Sequence, residues 1–81
     1  MGMIVGKMTR GECLRMLRKQ EGLSLRQAAK LAGISFGYLC ELEQGKHRIS
    51  LDHAYALMEL YGGSLRILAE LPHERDYNDW S

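Results

Sequence analysis

Apolar and polar residues recur along most of this 81-residue chain at the three-to-four residue spacing of amphipathic helices. Five segments have this spacing, and each is preceded by a serine or a threonine, the residue types that cap helix N-termini. Glycine or proline follows each segment and ends it. The predicted N-caps are Thr9, Ser24, Ser35, Ser50 and Ser64. The pattern therefore predicts an all-α protein with five short helices.

The first predicted helix begins after Thr9 and ends near Gly22. Glu12 stands three residues after Thr9, which is the spacing of a capping box. In this motif the side chain of each residue accepts a hydrogen bond from the backbone N–H of the other. Leu14 and Leu17 are three residues apart and are expected to point toward the core.

The second predicted helix runs from its cap, Ser24, to about Ala32, and Gln27 completes a second capping box. Gly33 ends it, as glycine often does just past a helix C-terminus. The positions expected to pack on neighbouring helices are Ala28, Ala29 and Leu31.

The third predicted helix begins at Ser35 and continues to about Glu43. Leu39 and Leu42 are expected to face inward because they are three residues apart. Its outward positions are Phe36, Gly37 and Glu41. Two short helices around a glycine turn have the spacing of a helix-turn-helix, whose second helix enters the major groove of DNA.

Two further helices complete the pattern. The fourth begins after Ser50, ends at Gly62 and has apolar positions at Ala54, Leu57, Met58 and Tyr61. The fifth begins at Ser64, is limited by Pro72 and contains Leu65, Ile67, Leu68 and Leu71. We expect a flexible N-terminal arm at 1–8, a single domain at 9–71 and a polar C-terminal tail at 72–81.

Several of these residues stand at fixed spacing: Leu23-Ser24, Ala28-Ala29, Gly33, Ser35, and Leu42-Glu43-Gln44-Gly45-Lys46. In this combination the chain resembles the XRE family of helix-turn-helix regulators, which includes lambda repressor and Cro, over about residues 9–70. The resemblance implies a compact five-helix bundle of the lambda-repressor-like type. It also implies a sequence-specific DNA-binding transcriptional regulator, acting as a repressor.

The resemblance implies roles for particular residues. The positions that would contact bases are Ser35, Phe36, Gly37 and Glu41. The positions that would contact phosphates are Arg26, Gln27, Tyr38, Gln44, Lys46, His47 and Arg48. Leu25 occupies the position where many members place a phosphate-binding glutamine, and Arg26 and Gln27 are close enough to substitute. The resemblance also implies a structural ion pair between Arg18 and Glu43.

Two of the base-contacting positions have alternative interpretations. Phe36 is suited to contact a thymine methyl group, or else it folds back onto the core. Glu41 is suited to accept a hydrogen bond from cytosine, or else it pairs with a nearby cation. From Ser35 onward the third helix has no Arg, Lys, Gln or Asn before Gln44. Specificity is therefore expected to depend on DNA shape, on Arg26 or on the loop.

Charge is unevenly distributed along the chain, although its net charge is only +1. Residues 1–48 contain nine Lys and Arg against four acidic residues, or +5, and residues 49–81 contain two against six, or −4. A basic half that carries the helix-turn-helix is the distribution expected of phosphate binding.

Other classes of function have little support in the sequence. No catalytic motif, metal-ligand spacing or cofactor-binding loop is present, so neither an enzyme nor a cofactor is expected. Cys13 and Cys40 are far apart and are expected to be reduced thiols. No apolar run reaches the roughly 18 residues that span a bilayer, so we expect a cytoplasmic protein without membrane contact.

A domain of this size covers about one DNA half-site, which predicts a homodimer on a pseudo-palindromic operator. The predicted interface is the fifth helix, through Leu65, Leu68 and Leu71; alternatively, these leucines close the core of the monomer. Tyr77 and Trp80 in the tail are candidates to anchor on a partner.

An alternative function is a protein-interaction module or antitoxin-like subunit that binds a protein partner through the scaffold or the tail.

Overall fold

Five α-helices follow one another in residues 8–73, the part of the chain that the computed structural model describes. They are α1 (Arg10–Gln20), α2 (Leu25–Ala32), α3 (Phe36–Gln44), α4 (Leu51–Tyr61) and α5 (Leu65–Glu70). Within these residues there is no β-strand. The predicted all-α, five-helix fold is confirmed.

All five helices begin where the sequence predicts. In each case the hydroxyl oxygen of the N-cap residue accepts a hydrogen bond from the backbone N–H three residues later. Thr9 and Ser24 form reciprocal capping boxes, in which the Thr9 N–H donates to Glu12 Oε1 at 3.0 Å and the Ser24 N–H donates to Gln27 Oε1 at 2.9 Å. Short side chain to backbone hydrogen bonds therefore set the start of every helix.

The core lies where all five helices meet. Helix α1 packs on α3, α2 packs on α3 and α4, and α5 covers α1 and α4. Leu14, Leu39, Leu57 and Leu68 are each no more than 2% exposed. The remaining buried apolar residues are Cys13, Ala28, Ala29, Leu42, Ala54, Met58 and Tyr61. Burial of these residues holds the short helices together, since helices of this length are marginal in isolation.

The prediction for Leu31 was wrong, because this side chain is 62% exposed. The face of α2 that packs against the core is formed by Leu25, Ala28, Ala29 and Ala32, which have the spacing of one helical stripe. Leu31 lies outside that stripe.

The domain extends slightly beyond its predicted limits, residues 9 and 71, at both ends. Met8, assigned to the arm, packs against the core, and Pro72 O accepts a hydrogen bond from the Arg10 N–H at 2.9 Å. His73, assigned to the tail, is 2% exposed, and its Nε2 donates to His47 O at 3.0 Å. Tyr77 and Trp80 lie outside the described residues.

Tyr61 is buried in the core, and its hydroxyl has no hydrogen-bond partner among residues 8–73. Burial, with a smaller contribution from the negative charge of Glu43, raises the pKa of Tyr61 to about 12. The unfolded chain releases this proton near pH 10. Between about pH 10 and 12 the unfolded state therefore binds fewer protons than the folded state, so stability falls as the pH rises.

We expect Tyr61→Phe to leave stability at pH 7 unchanged or slightly higher, because it removes an unpaired hydroxyl. The variant will also lack a loss on the order of 2 kcal/mol that the wild type suffers between about pH 10 and 12. Urea unfolding across this range measures the difference. Tyr55→Phe is a comparison at an exposed tyrosine. The hydrogen bond to Glu59 also raises the pKa of Tyr55, but the side chain is 57% exposed, so the change in the pH profile should be smaller than for Tyr61→Phe. Equal pH profiles for the wild type and Tyr61→Phe would contradict the expectation.

Candidate nucleic-acid interface

A tight turn of three residues, 33–35, joins α2 to α3. Gly33 adopts a left-handed conformation with φ of 76°, which favours glycine because it has no Cβ. The next residue, Ile34, donates its N–H to Ala29 O at 3.0 Å and so closes the end of α2. Ser35 then caps α3, which begins at Phe36. The turn sets the crossing of the two helices and places the first turn of α3 at the surface.

A buried ion pair fixes this unit to the rest of the domain. Arg18 Nε and Nη2 donate to the two carboxylate oxygens of Glu43 at 2.7 and 3.0 Å. The Nη1 group of the same arginine donates to Leu23 O at 2.8 Å. The two charged side chains are only 8% and 6% exposed. Arg18 therefore joins α1 to the end of α3 and to the segment that precedes α2.

The electrostatics of this pair follow from the same contacts. The hydrogen bonds that Arg18 donates to Glu43 raise the pKa of the Arg18 guanidinium above its ordinary value, although burial acts in the opposite direction. Arg18 therefore stays charged at any pH of interest. Because both side chains are buried and bonded to each other, the pair positions the helices and is not accessible to DNA.

The start of α3 presents Ser35, Phe36 and Gly37 to the surface, whereas Leu39 and Leu42 face the core. The Ser35 hydroxyl oxygen accepts a hydrogen bond from the Tyr38 N–H at 3.1 Å, which leaves the hydroxyl proton to donate. Apart from its chain neighbours and the backbone of its own helix, no atom of residues 8–73 lies within 4 Å of the place where a Cβ of Gly37 would stand. This end of the helix is therefore open to close approach by another molecule.

Phe36 is 41% exposed, so it does not fold back into the core. Its ring lies beneath the Arg26 guanidinium, whose central carbon is 4.5 Å from the ring centroid. This distance is that of a cation–π contact. The contact joins the second residue of α2 to the first residue of α3, a pairing that the sequence pattern did not predict.

Glu41 lies within hydrogen-bond distance of a neighbouring histidine side chain. Its Oε1 lies 2.7 Å from His47 Nε2, and both side chains are about half exposed. Tyr38 packs beside His47, with ring centroids 5.9 Å apart, and edge-on against His53 at 5.2 Å. His53 was not among the predicted site residues. The contact places the first turn of α4 beside Tyr38 of α3.

The other predicted phosphate-binding residues are also at the surface. Gln27 uses its side-chain oxygen in the capping box, which leaves its amide N–H groups to donate. Gln44 donates from Nε2 to Cys40 Sγ at 3.4 Å. Lys46 and Arg48 are exposed in the loop between α3 and α4. The candidate site therefore has an exposed aromatic residue and two small residues at the start of α3. Positively charged residues precede it in α2 and follow it in the loop after α3.

The described residues hold few other chemical groups of note. Among them there is no cluster of three His, Cys, Asp or Glu that could bind a metal ion. Cys13 and Cys40 are free thiols, and burial raises the pKa of Cys13. None of the helices in this range is long and apolar enough to cross a membrane.

Leu68, which was predicted to form a dimer interface, is 2% exposed and belongs to the core of the domain. It has no surface for a partner, because its side chain fills the space between α5 and the helices beneath it. Leu65 and Leu71 are partly exposed, and Ile67 is 58% exposed.

Known proteins with similar sequences and structures are helix-turn-helix regulators. A family model described as helix-turn-helix matches residues 14–68. The HTH-type transcriptional regulator DdrOP3 of Deinococcus deserti is 41% identical over 59 residues, which cover 73% of this chain and 46% of that protein. The HTH-type transcriptional regulator PuuR of Escherichia coli is 33% identical over 66 residues, which cover 82% of this chain and 36% of that protein.

Solved structures agree with these sequence matches. The N-terminal DNA binding domain of SinR from Bacillus subtilis superposes with a TM-score of 0.72 at 26% identity, over 80% of this chain and 96% of that one. The chain spans less than half the length of the curated relatives it matches, for example 17% of one from Thermococcus kodakarensis and 46% of the Deinococcus protein. With its capped α2–turn–α3 unit and these matches, the chain belongs to the XRE, or lambda-repressor and Cro-like, helix-turn-helix family of DNA-binding transcriptional regulators.

Proposed function

We propose that this protein binds a pseudo-palindromic operator as a homodimer and represses transcription by occupying it. The observation that carries this function is the open start of α3, held by the buried Arg18–Glu43 pair. A helix end that is exposed and held in place by this pair fits the major groove, which admits one α-helix.

The proposed contacts to bases come from the exposed first turn of α3. Phe36 contacts a methyl group, the Ser35 hydroxyl donates a hydrogen bond, and Gly37 lets the helix backbone approach the bases closely. Glu41 accepts from a cytosine only when it releases His47, which now lies 2.7 Å from it. We therefore assign Glu41 a smaller share of the specificity than the first three residues.

The proposed contacts to phosphates position the domain on the duplex. They come from charged and hydrogen-bonding groups around α3, namely Gln27, Tyr38, Gln44, Lys46, His47 and Arg48. Lys46 and Arg48 follow α3 directly and are exposed, so we assign them the largest share of this binding. Such contacts are insensitive to sequence and weaken as salt concentration rises.

The proposed dimer forms through an apolar groove beside α5. The groove has a volume of about 620 Å³ and is lined mainly by apolar side chains of α4, α5 and the loop before α4. Leu51 at its rim is 71% exposed, and Leu65 also lines it. A second copy of the chain is the occupant that suits this groove, because a single small domain covers about one half-site. We include the partly exposed Leu71 and the exposed Ile67 in the proposed interface.

Selection of bound duplexes from a random DNA pool tests this function. We expect enrichment of two inverted half-sites whose centres are about one helical turn, or roughly 34 Å, apart. Enriched duplexes will bind with a steep dependence on salt concentration. Light scattering of the purified protein, with and without the selected duplex, measures the number of subunits on the DNA.

Two results would contradict the proposal. Enrichment of one isolated half-site, with a single subunit bound, would exclude the dimeric operator complex. No enrichment, with weak binding at low salt only, would exclude sequence-specific regulation and favour the alternative of a protein-interaction module.

A regulator of this kind acts on the DNA of the cell, and we accordingly place it in the cytoplasm.

A further inference from the structure

Arg26 and Phe36 lie on opposite sides of the turn between α2 and α3, and they form one exposed unit. The guanidinium carbon of Arg26 is 4.5 Å from the centroid of the Phe36 ring and lies over it. Among residues 8–73, the contact with Phe36 is the one interaction of the Arg26 side chain, so its five N–H donors are available to bind another molecule. The ring orders the long side chain in advance, which lowers the entropy lost when those donors bind.

The first two turns of α3 lack paired donors of this kind. Ser35 and Gly37 are short, and Glu41 has only acceptor oxygens, one of which lies 2.7 Å from His47. Recognition of guanine in the major groove is most often made by a side chain that bonds to both O6 and N7. At this end of α3, Arg26 is the side chain with the length and the paired donors for that contact.

We propose that the Arg26–Phe36 pair recognises a dinucleotide step in which a 5-methylpyrimidine precedes a guanine. Arg26 donates to O6 and N7 of the guanine, and the ring of Phe36 packs against the methyl group of the pyrimidine. The 4.5 Å between the two groups is similar to the spacing of adjacent bases, about 3.4 Å, so the pair addresses neighbouring bases. Thymine and 5-methylcytosine both supply this methyl group.

This assignment gives Arg26 a role in specificity in place of the phosphate contact expected from the sequence. It rests on the proposed DNA-binding function, because the step must lie within an operator. It also accounts for how a recognition helix without Arg, Lys, Gln or Asn in its centre can distinguish a guanine. The α2 helix supplies the donor, and the first residue of α3 holds it in place.

The test uses duplexes selected by the wild-type protein, altered at one base at a time. Replacing the guanine by 7-deazaguanine removes N7, and we expect about a tenfold loss of affinity. Uracil in place of thymine, and cytosine in place of 5-methylcytosine, each remove only the methyl group. We expect a several-fold loss in at least one of these two comparisons, and the comparison that responds identifies the source of the methyl group.

Two variants connect these effects to the pair. Arg26→Ala should bind the guanine and 7-deazaguanine duplexes equally, and Phe36→Ala should no longer distinguish the methylated from the unmethylated base. Lys30→Ala is the control, since it removes an exposed cation one turn further along α2. It should keep both preferences. Arg26→Ala and Lys30→Ala should leave the melting temperature nearly unchanged, because both side chains are exposed. Phe36→Ala should stay folded but melt somewhat lower, because the Phe36 side chain is only 41% exposed and loses its buried area.

The possible failures can be told apart. If the wild type selects no sequence, the proposed function fails, and the recognition of this step fails with it. If the wild type selects an operator but Arg26→Ala keeps the full dependence on N7, the assignment to Arg26 is overturned and the proposed function stands. An operator without any 5-methylpyrimidine–guanine step would likewise overturn the pair's role alone.

Discussion

Glu43→Ala will destabilise the domain by about 3 to 5 kcal/mol, because it strands the charge of Arg18 in a place where the side chain is only 8% exposed. A domain of this size has a total stability of about 3 to 10 kcal/mol, so much of it is lost. Thermal unfolding followed by circular dichroism should show a fall in Tm of at least about 12 °C.

The cause can be separated from a general effect of altering α3. Glu41→Ala removes a carboxylate on the same helix whose partner is the exposed His47, and it should cost less than about 1 kcal/mol. The double variant Arg18→Met/Glu43→Leu should recover most of the loss, since it removes both buried charges. A double variant as unstable as Glu43→Ala would show that the stranded charge is not the cause.

Lys46→Ala/Arg48→Ala will weaken DNA binding by about tenfold to hundredfold near physiological salt, and equally for operator and unrelated duplexes. Both residues are exposed in the loop that follows α3. Each phosphate contact releases about 0.9 counterion from duplex DNA. The slope of log affinity against log salt concentration should therefore become shallower by about two units, which binding titrations at several salt concentrations measure.

The comparison between duplexes is the internal control for this prediction. A loss confined to the operator would indicate contacts to bases by the loop, and an unchanged slope would exclude the assigned phosphate contacts. Lys19→Ala removes one exposed positive charge from α1, which packs against the inward face of α3. It should leave the slope nearly unchanged.

The helices could be predicted almost completely from the sequence. Each begins at a serine or threonine whose hydroxyl bonds to a backbone N–H three residues away, and α2, α3 and α4 end at a glycine with positive φ. These are interactions between near neighbours in the chain, so they follow from short motifs. The inward positions of α4 were also predicted, because Ala54, Leu57, Met58 and Tyr61 have a regular helical spacing.

Predictions were weaker where the outcome depended on packing between helices. Leu31 is apolar yet exposed, since the core face of α2 was already filled by Leu25 and three alanines. Leu68 was assigned to a dimer interface, but α5 is so short that its central leucine is needed to close the core. His73 was assigned to a polar tail, and its hydrogen bond to the His47 carbonyl holds it in the domain.

By itself, the sequence determined the five helices and the helix-turn-helix, because capping, helical periodicity and turn residues act over a few positions along the chain. The family followed from the resemblance of residues at fixed spacing around the turn. Only the tertiary structure decided which groups meet at the candidate interface. The contact of Arg26 with Phe36 and that of Glu41 with His47 depend on how α2, α3 and the following loop are placed relative to one another. That placement results from burial of the shared core, to which residues from all five helices contribute.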